Sequence, residues 1–172
     1  SALLTRGSGV KVRKLKTQGW LSSSTAHIIF EDVEVVRNLE AGMIVEDTTL
    51  ELWTTLFSDN IGTGLVIKAG ATGVIEHNRF LNNSGVSLEN VESLILKSSI
   101  FDNTPVGLES QNSSPTLLDN QFDGNLTALK VSGNRVPAEL TGNSFVDNDT
   151  ALENLTAFEL SANGNFWGTT DS

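Results

Sequence analysis

Six phenylalanines recur along the chain at an almost constant spacing. The gaps between successive members are 23, 21, 21, 23 and 21 residues, so the repeating unit is about 22 residues long. A unit of this length is too short for helical-hairpin repeats, which take about 33 residues or more. We therefore expect the chain to coil once per repeat and to stack these rings in its interior. The six residues are Phe57, Phe80, Phe101, Phe122, Phe145 and Phe166.

Other residue types keep the same phase. An apolar residue lies five positions before each phenylalanine, with Ser161 as the exception in the last repeat. Upstream, the phase places Val35 in the phenylalanine column and Phe30 in the apolar column. One repeat earlier it places Leu15 and Val10 in these columns. The repeat is therefore predicted to extend over most of the chain.

Polar residues, mostly asparagines, mark two corners in each repeat. Asparagine favours turns, and stacked amides can bond to one another and to backbone groups that the bend leaves unpaired. The sequence therefore predicts structural asparagine ladders. The asparagines two positions before a phenylalanine are Asn78, Asn120 and Asn143, and those three positions after one are Asn60, Asn83, Asn125 and Asn148.

Short strands connect these corners. Apolar residues alternate there with a period of two, as at Leu65 and Ile67, and this period is typical of a strand. A unit of short strands buries its apolar face only when each turn stacks on the last, about 4.8 Å away. We predict an all-β fold, a right-handed parallel β-helix of about seven or eight rungs. Residues 1–24 are expected to form a basic segment and the first rung or cap. Residues 25–172 form the repeats, with the last rung near residues 158–168.

The repeats resemble a known family. Residues 77–86 read HNRFLNNSGV and residues 143–148 read NSFVDN. Both look like the motif of right-handed parallel β-helix repeats, a group that includes pectate-lyase-like proteins, mannuronan epimerases and periplasmic copper-maturation β-helix proteins. Residues 164–171, GNFWGTTD, resemble the ending common where such solenoids finish. The resemblance implies the fold, while many unrelated activities share that fold.

Charge and composition exclude several classes of function. The net charge is -10, which argues against a nucleic-acid partner, and no apolar run is long enough for membrane insertion. The absence of cysteine excludes a disulfide scaffold or a thiol nucleophile. The first 16 residues carry five basic residues and no acidic ones. They are either outward positions of a terminal strand or a patch for an acidic glycan or neighbouring surface.

The most promising surface lies four positions before the phenylalanines. Trp53, Glu76 and Lys97 occupy this column and point outward if the neighbouring apolar column points inward. We predict them as ligand-binding residues. An enzyme would use Glu76, His77, Arg79 and Lys97 as its catalytic residues. A solvated strand face with a Glu–Lys pair accounts for the same residues, so no catalytic set is favoured.

Corner oxygens raise the question of a metal. Asn and Asp oxygens can coordinate Ca²⁺. However, the chain lacks the Gly-Gly-x-Gly-x-Asp pattern of calcium-loaded β-rolls. We predict no metal and no cofactor, with Ca²⁺ as the one alternative.

Two functions from different classes remain. The first is a non-catalytic adhesion or scaffold module that binds a polysaccharide or another protein or domain. The second is a carbohydrate-active enzyme, namely a lyase, epimerase or hydrolase. A weaker third reading by family analogy is a periplasmic accessory to metal-enzyme maturation, for which the single methionine, Met43, gives little support. Because the chain starts at Ser1 rather than Met, we expect a piece of a larger chain or assembly at the cell surface, outside the cell or in the periplasm.

Overall fold

The chain winds into a three-sided solenoid of short parallel strands. The computed structural model describes residues 3–5, 10–13, 16–17 and 20–168, with side chains from His27 onward. Within these ranges the regular structure is all strand. In each turn the chain passes through a first, a second and a third face in that order.

The first and second faces form one sheet. Two long strands, Trp20–Glu31 and Met43–Trp53, cross from the first face to the second and thereby join them into a 13-stranded sheet. The other strands of the first face are Leu3–Thr5, Thr63–Ile67, Ser84–Glu89, Val106–Gln111, Thr127–Ser132 and Thr150–Asn154. The other strands of the second face are Val10–Arg13, Thr72–Glu76, Ser93–Lys97, Thr116–Leu118 and Glu139–Thr141.

The third face is a separate seven-stranded sheet. From its first strand to its last the chain makes about six turns, slightly fewer than the seven or eight rungs that the sequence predicts. Strand pairs in both sheets are parallel and in register, so equivalent residues of successive turns are direct neighbours. The third-face strands are Lys16–Thr17, Glu34–Val36, Leu56–Ser58, Arg79–Leu81, Ile100–Asp102, Gln121–Asp123 and Ser144–Val146.

The interior consists of apolar columns, one from each face. Phenylalanine rings from the third face stack with centroids 4.6 to 4.9 Å apart and interplanar angles of 3° to 10°. This spacing equals the separation of paired strands, so the backbone ladder itself sets the ring stack. Leu52, Ile75 and Leu96 continue the second-face column, and all three are fully buried. Stacked rings are Phe57, Phe80, Phe101, Phe122 and Phe145.

Phe166 corrects the predicted phenylalanine column. Ser144 pairs with Phe166, so Phe166 continues an outward position and is 57% exposed. The next residue, Trp167, falls in register with Phe145 and stacks on it at 4.7 Å. The column therefore ends in Trp167. Measured from Trp167, the position five residues earlier is Ala162, which packs against the core, and the exception at Ser161 disappears.

The first repeat also differs from the prediction. Val12, not Val10, pairs with Phe30, and Thr17 pairs with Val35. Leu15 lies outside the described residues. The reason is that this repeat has 18 residues, since 35 − 17 = 18, rather than about 22.

Asparagines lie inside two of the three corners. At these two corners one residue adopts a positive φ, such as 56° at His77, and the next residue points inward, as Asn78 does. Asn120 and Asn143 are almost fully buried, and the Asn143 Oδ1 accepts hydrogen bonds from the backbone N–H and the side-chain amide of Asn120, both at 2.9 Å. The two inward columns carry the predicted asparagines: Asn78, Asn120 and Asn143 in one, and Asn60, Asn83, Asn125 and Asn148 in the other.

Candidate functional site

The outer surface of the second face is the candidate site. Parallel in-register pairing aligns its outward residues into columns, and Trp53 lies between Glu31 and Glu76 in one of them. Lys97 follows Glu76 on the next turn. The structure therefore brings Trp53, Glu76 and Lys97 together in the order that the sequence predicts.

Glu76 is the most enclosed charged group of this column. Its side chain is only 13% exposed, and its Oε2 lies 3.0 Å from the Nζ of Lys97. Its other oxygen, Oε1, lies 3.5 Å from the Nδ1 of His77. The Lys97 side chain remains 36% exposed, so its ammonium stays open to solvent and to a ligand. Such a partly exposed pair contributes little to stability.

A second pair on the same face was missed by the sequence reasoning. The Nε2 of His27 lies 2.7 Å from the Oε1 of Glu51. Glu51 is two residues before Trp53 and therefore points to the same side of the strand. The sequence did contain a signal for Glu51, because this residue occupies the outward position two residues before Trp53. Carboxylates therefore occur on three sides of the indole, at Glu31, Glu51 and Glu76.

Arg79 does not join this surface. It lies beyond the corner, on the third face, where its Nη2 is 2.7 Å from the Oδ2 of Asp102. His77 occupies the corner itself and is exposed there. Of the four residues that an enzyme was expected to use, Glu76, His77 and Lys97 are therefore in contact while Arg79 is not.

The chemistry of the second face is that of a hydrogen-bonding platform with one aromatic ring. An indole stacks on the apolar face of a pyranose ring, and carboxylates accept hydrogen bonds from sugar hydroxyl groups. In residues 20–168 and the described strands before them, no group of three His, Asp or Glu side chains is arranged to hold a metal ion. The same residues contain no helix long and apolar enough to cross a membrane.

The architecture and the sequence together assign the chain to a class. The family model described as a right handed beta helix region matches residues 4–166. The chain therefore belongs to the right-handed β-helix family, and the solenoid is right-handed. The chain matches no curated protein and no solved structure.

Proposed function

We propose that the chain is a non-catalytic β-helix module of a secreted or cell-surface protein, and that its second face binds a polysaccharide. The observation that carries this proposal is the placement of Trp53 among Glu31, Glu51 and Glu76 on a regular sheet surface. Trp53 thus supplies a ring for stacking, and the neighbouring carboxylates supply acceptors for hydroxyl groups. Rigid strands hold them in position, as a preorganised binding surface requires.

The charge of this surface selects among polysaccharides. Glu76 is paired with Lys97 and Glu51 with His27, while the whole chain has a net charge of -10. A polyuronate would be repelled by this net charge, because like charges oppose close approach. The second face is therefore suited to a neutral polysaccharide.

The sheet also matches an extended ligand. Outward residues recur about every 4.8 Å from turn to turn, and further polar groups lie nearer the start of the second-face strands. The hydroxyl groups of Thr49 and Thr72, for example, lie 3.3 Å apart on neighbouring turns of the same face. A chain of sugar units can therefore contact several turns at once.

One observation favours the carbohydrate-active enzyme as a second candidate. Glu76 contacts both Lys97 and His77, and a carboxylate beside an ammonium and an imidazole offers groups for proton transfer. Arg79, the fourth residue of this hypothesis, lies on the third face. Turnover of any polysaccharide by the wild-type protein that is lost in both Glu76→Gln and Lys97→Ala would favour this candidate.

Trp53→Ala tests the binding proposal. Gel retardation is measured with soluble neutral polysaccharides, namely β-glucan and galactomannan, and with alginate and polygalacturonate. We expect retardation by a neutral polysaccharide, weakened about tenfold or more in Trp53→Ala because the stacking surface is lost.

The matched control is Phe158→Ala. Phe158 is also an aromatic side chain and is 51% exposed, but it lies after the last strand. This variant should bind as the wild type does. Retention of binding in Trp53→Ala, or retardation by the two polyuronates alone, would contradict the proposal.

A further inference from the structure

A polar pocket lies at the corner between the first and second faces. It has a volume of about 190 Å³ and is built by three successive turns. The second face and its candidate residues do not line it. Trp53 lies roughly 20 Å away by strand spacing and rise per residue. The pocket is lined by Asn90, Glu92, Asn112, Asn134 and Arg135.

The pocket exists because this corner lengthens from turn to turn. Three residues connect Glu89 to Ser93, and four connect Gln111 to Thr116 in the following turn. Six residues, 133–138, connect the next pair of strands. The longest segment folds back over its neighbours and creates a concave surface that the short corners lack.

Two contacts hold the walls of the pocket in place. The Nη2 of Arg135 lies 2.8 Å from the Oε1 of Glu92, two turns away, so this ion pair bridges the turn between them. The backbone N–H of Asn134 donates to the Oδ1 of Asn112 at 2.9 Å. Gly133 has a φ of 89°, and a Cβ there would collide with the same Asn112 oxygen, so the segment depends on this glycine.

The amide groups in the pocket have unused hydrogen-bonding capacity. Among the described residues, the side chains of Asn90 and Asn134, which are exposed, and the Nδ2 of Asn112 make no hydrogen bond to another protein group. Elsewhere in the molecule, the asparagine amides of the two ladders bond to carbonyl groups of neighbouring turns. Each amide offers donors and an acceptor, which is the combination that sugar hydroxyl groups require.

Charge and size restrict the ligand further. The Glu92–Arg135 pair is neutral as a whole, so the pocket attracts neither an anion nor a cation strongly. A volume of about 190 Å³ corresponds to about six water molecules of liquid, which is enough for one sugar ring inside the pocket. We propose that this corner pocket binds a single neutral hexose unit through Asn90, Asn112 and Asn134. This site is additional to the proposed polysaccharide surface and does not depend on it.

The test is a titration of the ¹⁵N-labelled protein followed by the side-chain amide signals of its asparagines. The probes are the methyl pyranosides of glucose, galactose and mannose, with sodium glucuronate and calcium chloride as charged comparisons. We expect saturable shifts of the Asn90, Asn112 and Asn134 signals with at least one neutral hexoside. Shifts with glucuronate or calcium alone, or no shift with any hexoside, would overturn the proposal.

Variants separate this site from the second face. The double variant Asn90→Asp with Asn134→Asp removes amide donors without a change of shape, and we expect hexoside affinity to fall about tenfold or more. The control is Asn103→Asp, an exposed residue with a φ of 54° at another corner, which should bind normally. Trp53→Ala should also retain hexoside binding, while the double variant should keep its retardation by polysaccharide. The pocket assignment would be refuted if Trp53→Ala lost hexoside binding, or if the double variant kept the hexoside affinity of the wild type.

Discussion

Two corners of the solenoid differ in how strictly they repeat. The corner between the second and third faces, here the closed corner, has two residues in each turn, as at 77–78 and 98–99. The corner between the first and second faces, here the open corner, ranges from an uninterrupted strand at Met43–Trp53 to six residues at 133–138. The corner between the third and first faces also varies, from two residues at 82–83 to six at 37–42, so only the closed corner keeps its length throughout the described turns.

Hydrogen bonding explains the difference. At the closed corner, from Thr55 onward, the backbone N–H of the inward residue donates to a side-chain oxygen of the next turn, as from Thr55 to Asn78 at 2.8 Å and from Ser99 to Asn120 at 3.1 Å. One added residue would break this chain of bonds. At the open corner the inward positions include Ala71 and Val91, which have no side-chain oxygen. That corner can therefore change length, and the candidate pocket lies there, as is common for binding residues on loops.

An insertion should show the largest effect. A Gly-Ser pair placed between Asp119 and Asn120 displaces the Asn120 amide from the N–H of Ser99 and the carbonyl of Leu96. With these buried groups unpaired, we expect the free energy of unfolding to fall by about 3–6 kcal/mol. The measurement is urea unfolding followed by circular dichroism.

The matched insertion is the same pair placed between Arg135 and Val136 at the open corner. Lengthening a surface loop by two residues costs little, and we expect a loss below about 1 kcal/mol. Equal losses of unfolding free energy at the two positions would show that the two corners tolerate insertions equally.

The fold was predictable because stacking forces the same residue type into the same place in every turn. Phe80, Phe101 and Phe122 had to recur for their rings to pack, and their column gave the register of the whole sheet. The register failed where two aromatic residues were adjacent, at Phe166 and Trp167, because the gaps from Phe145 to both lie within the range of the repeat. Spacing alone could not choose between them.

The candidate site was predictable only along one column. In-register pairing placed Glu76 beside Trp53 and Lys97, as the column indicated. Proximity in sequence misled for Arg79, because the closed corner separates it from Glu76 and turns it to another face. The pocket residues of the open corner gave no periodic signal. Asn134 and Arg135 belong to a segment that occurs in one turn only.

Deletion of a buried side chain should also lower the free energy of unfolding more at the closed corner than at the open corner. Asn143→Ala removes the acceptor for the backbone N–H of Asn120 and the donor to the carbonyl of Leu117, at 2.9 and 3.0 Å. Ser113→Ala at the open corner removes an acceptor for the backbone N–H of Val91 and a donor to the carbonyl of Gln111, whereas the Asn143 amide makes five hydrogen bonds. Both residues are fully buried. We expect losses of about 3 and about 1 kcal/mol in urea unfolding. A Ser113→Ala loss as large as that of Asn143→Ala would contradict the comparison.

The smallest effect is expected for substitutions that test whether the side-chain oxygen stabilises the closed corner. Ser99 is a natural member of its inward column, and its Oγ accepts from the backbone N–H of Asn78 at 3.2 Å. Asn120→Ser should therefore retain an acceptor for the N–H of Ser99 and lose the two bonds that the Asn120 amide donates, to the carbonyl of Leu96 and to the Oδ1 of Asn143, at a cost of about 1–2 kcal/mol. Asn120→Val keeps the bulk but offers no oxygen, so its loss in urea unfolding should approach about 3 kcal/mol. If valine were tolerated as well as serine, packing rather than the side-chain oxygen would determine the closed corner.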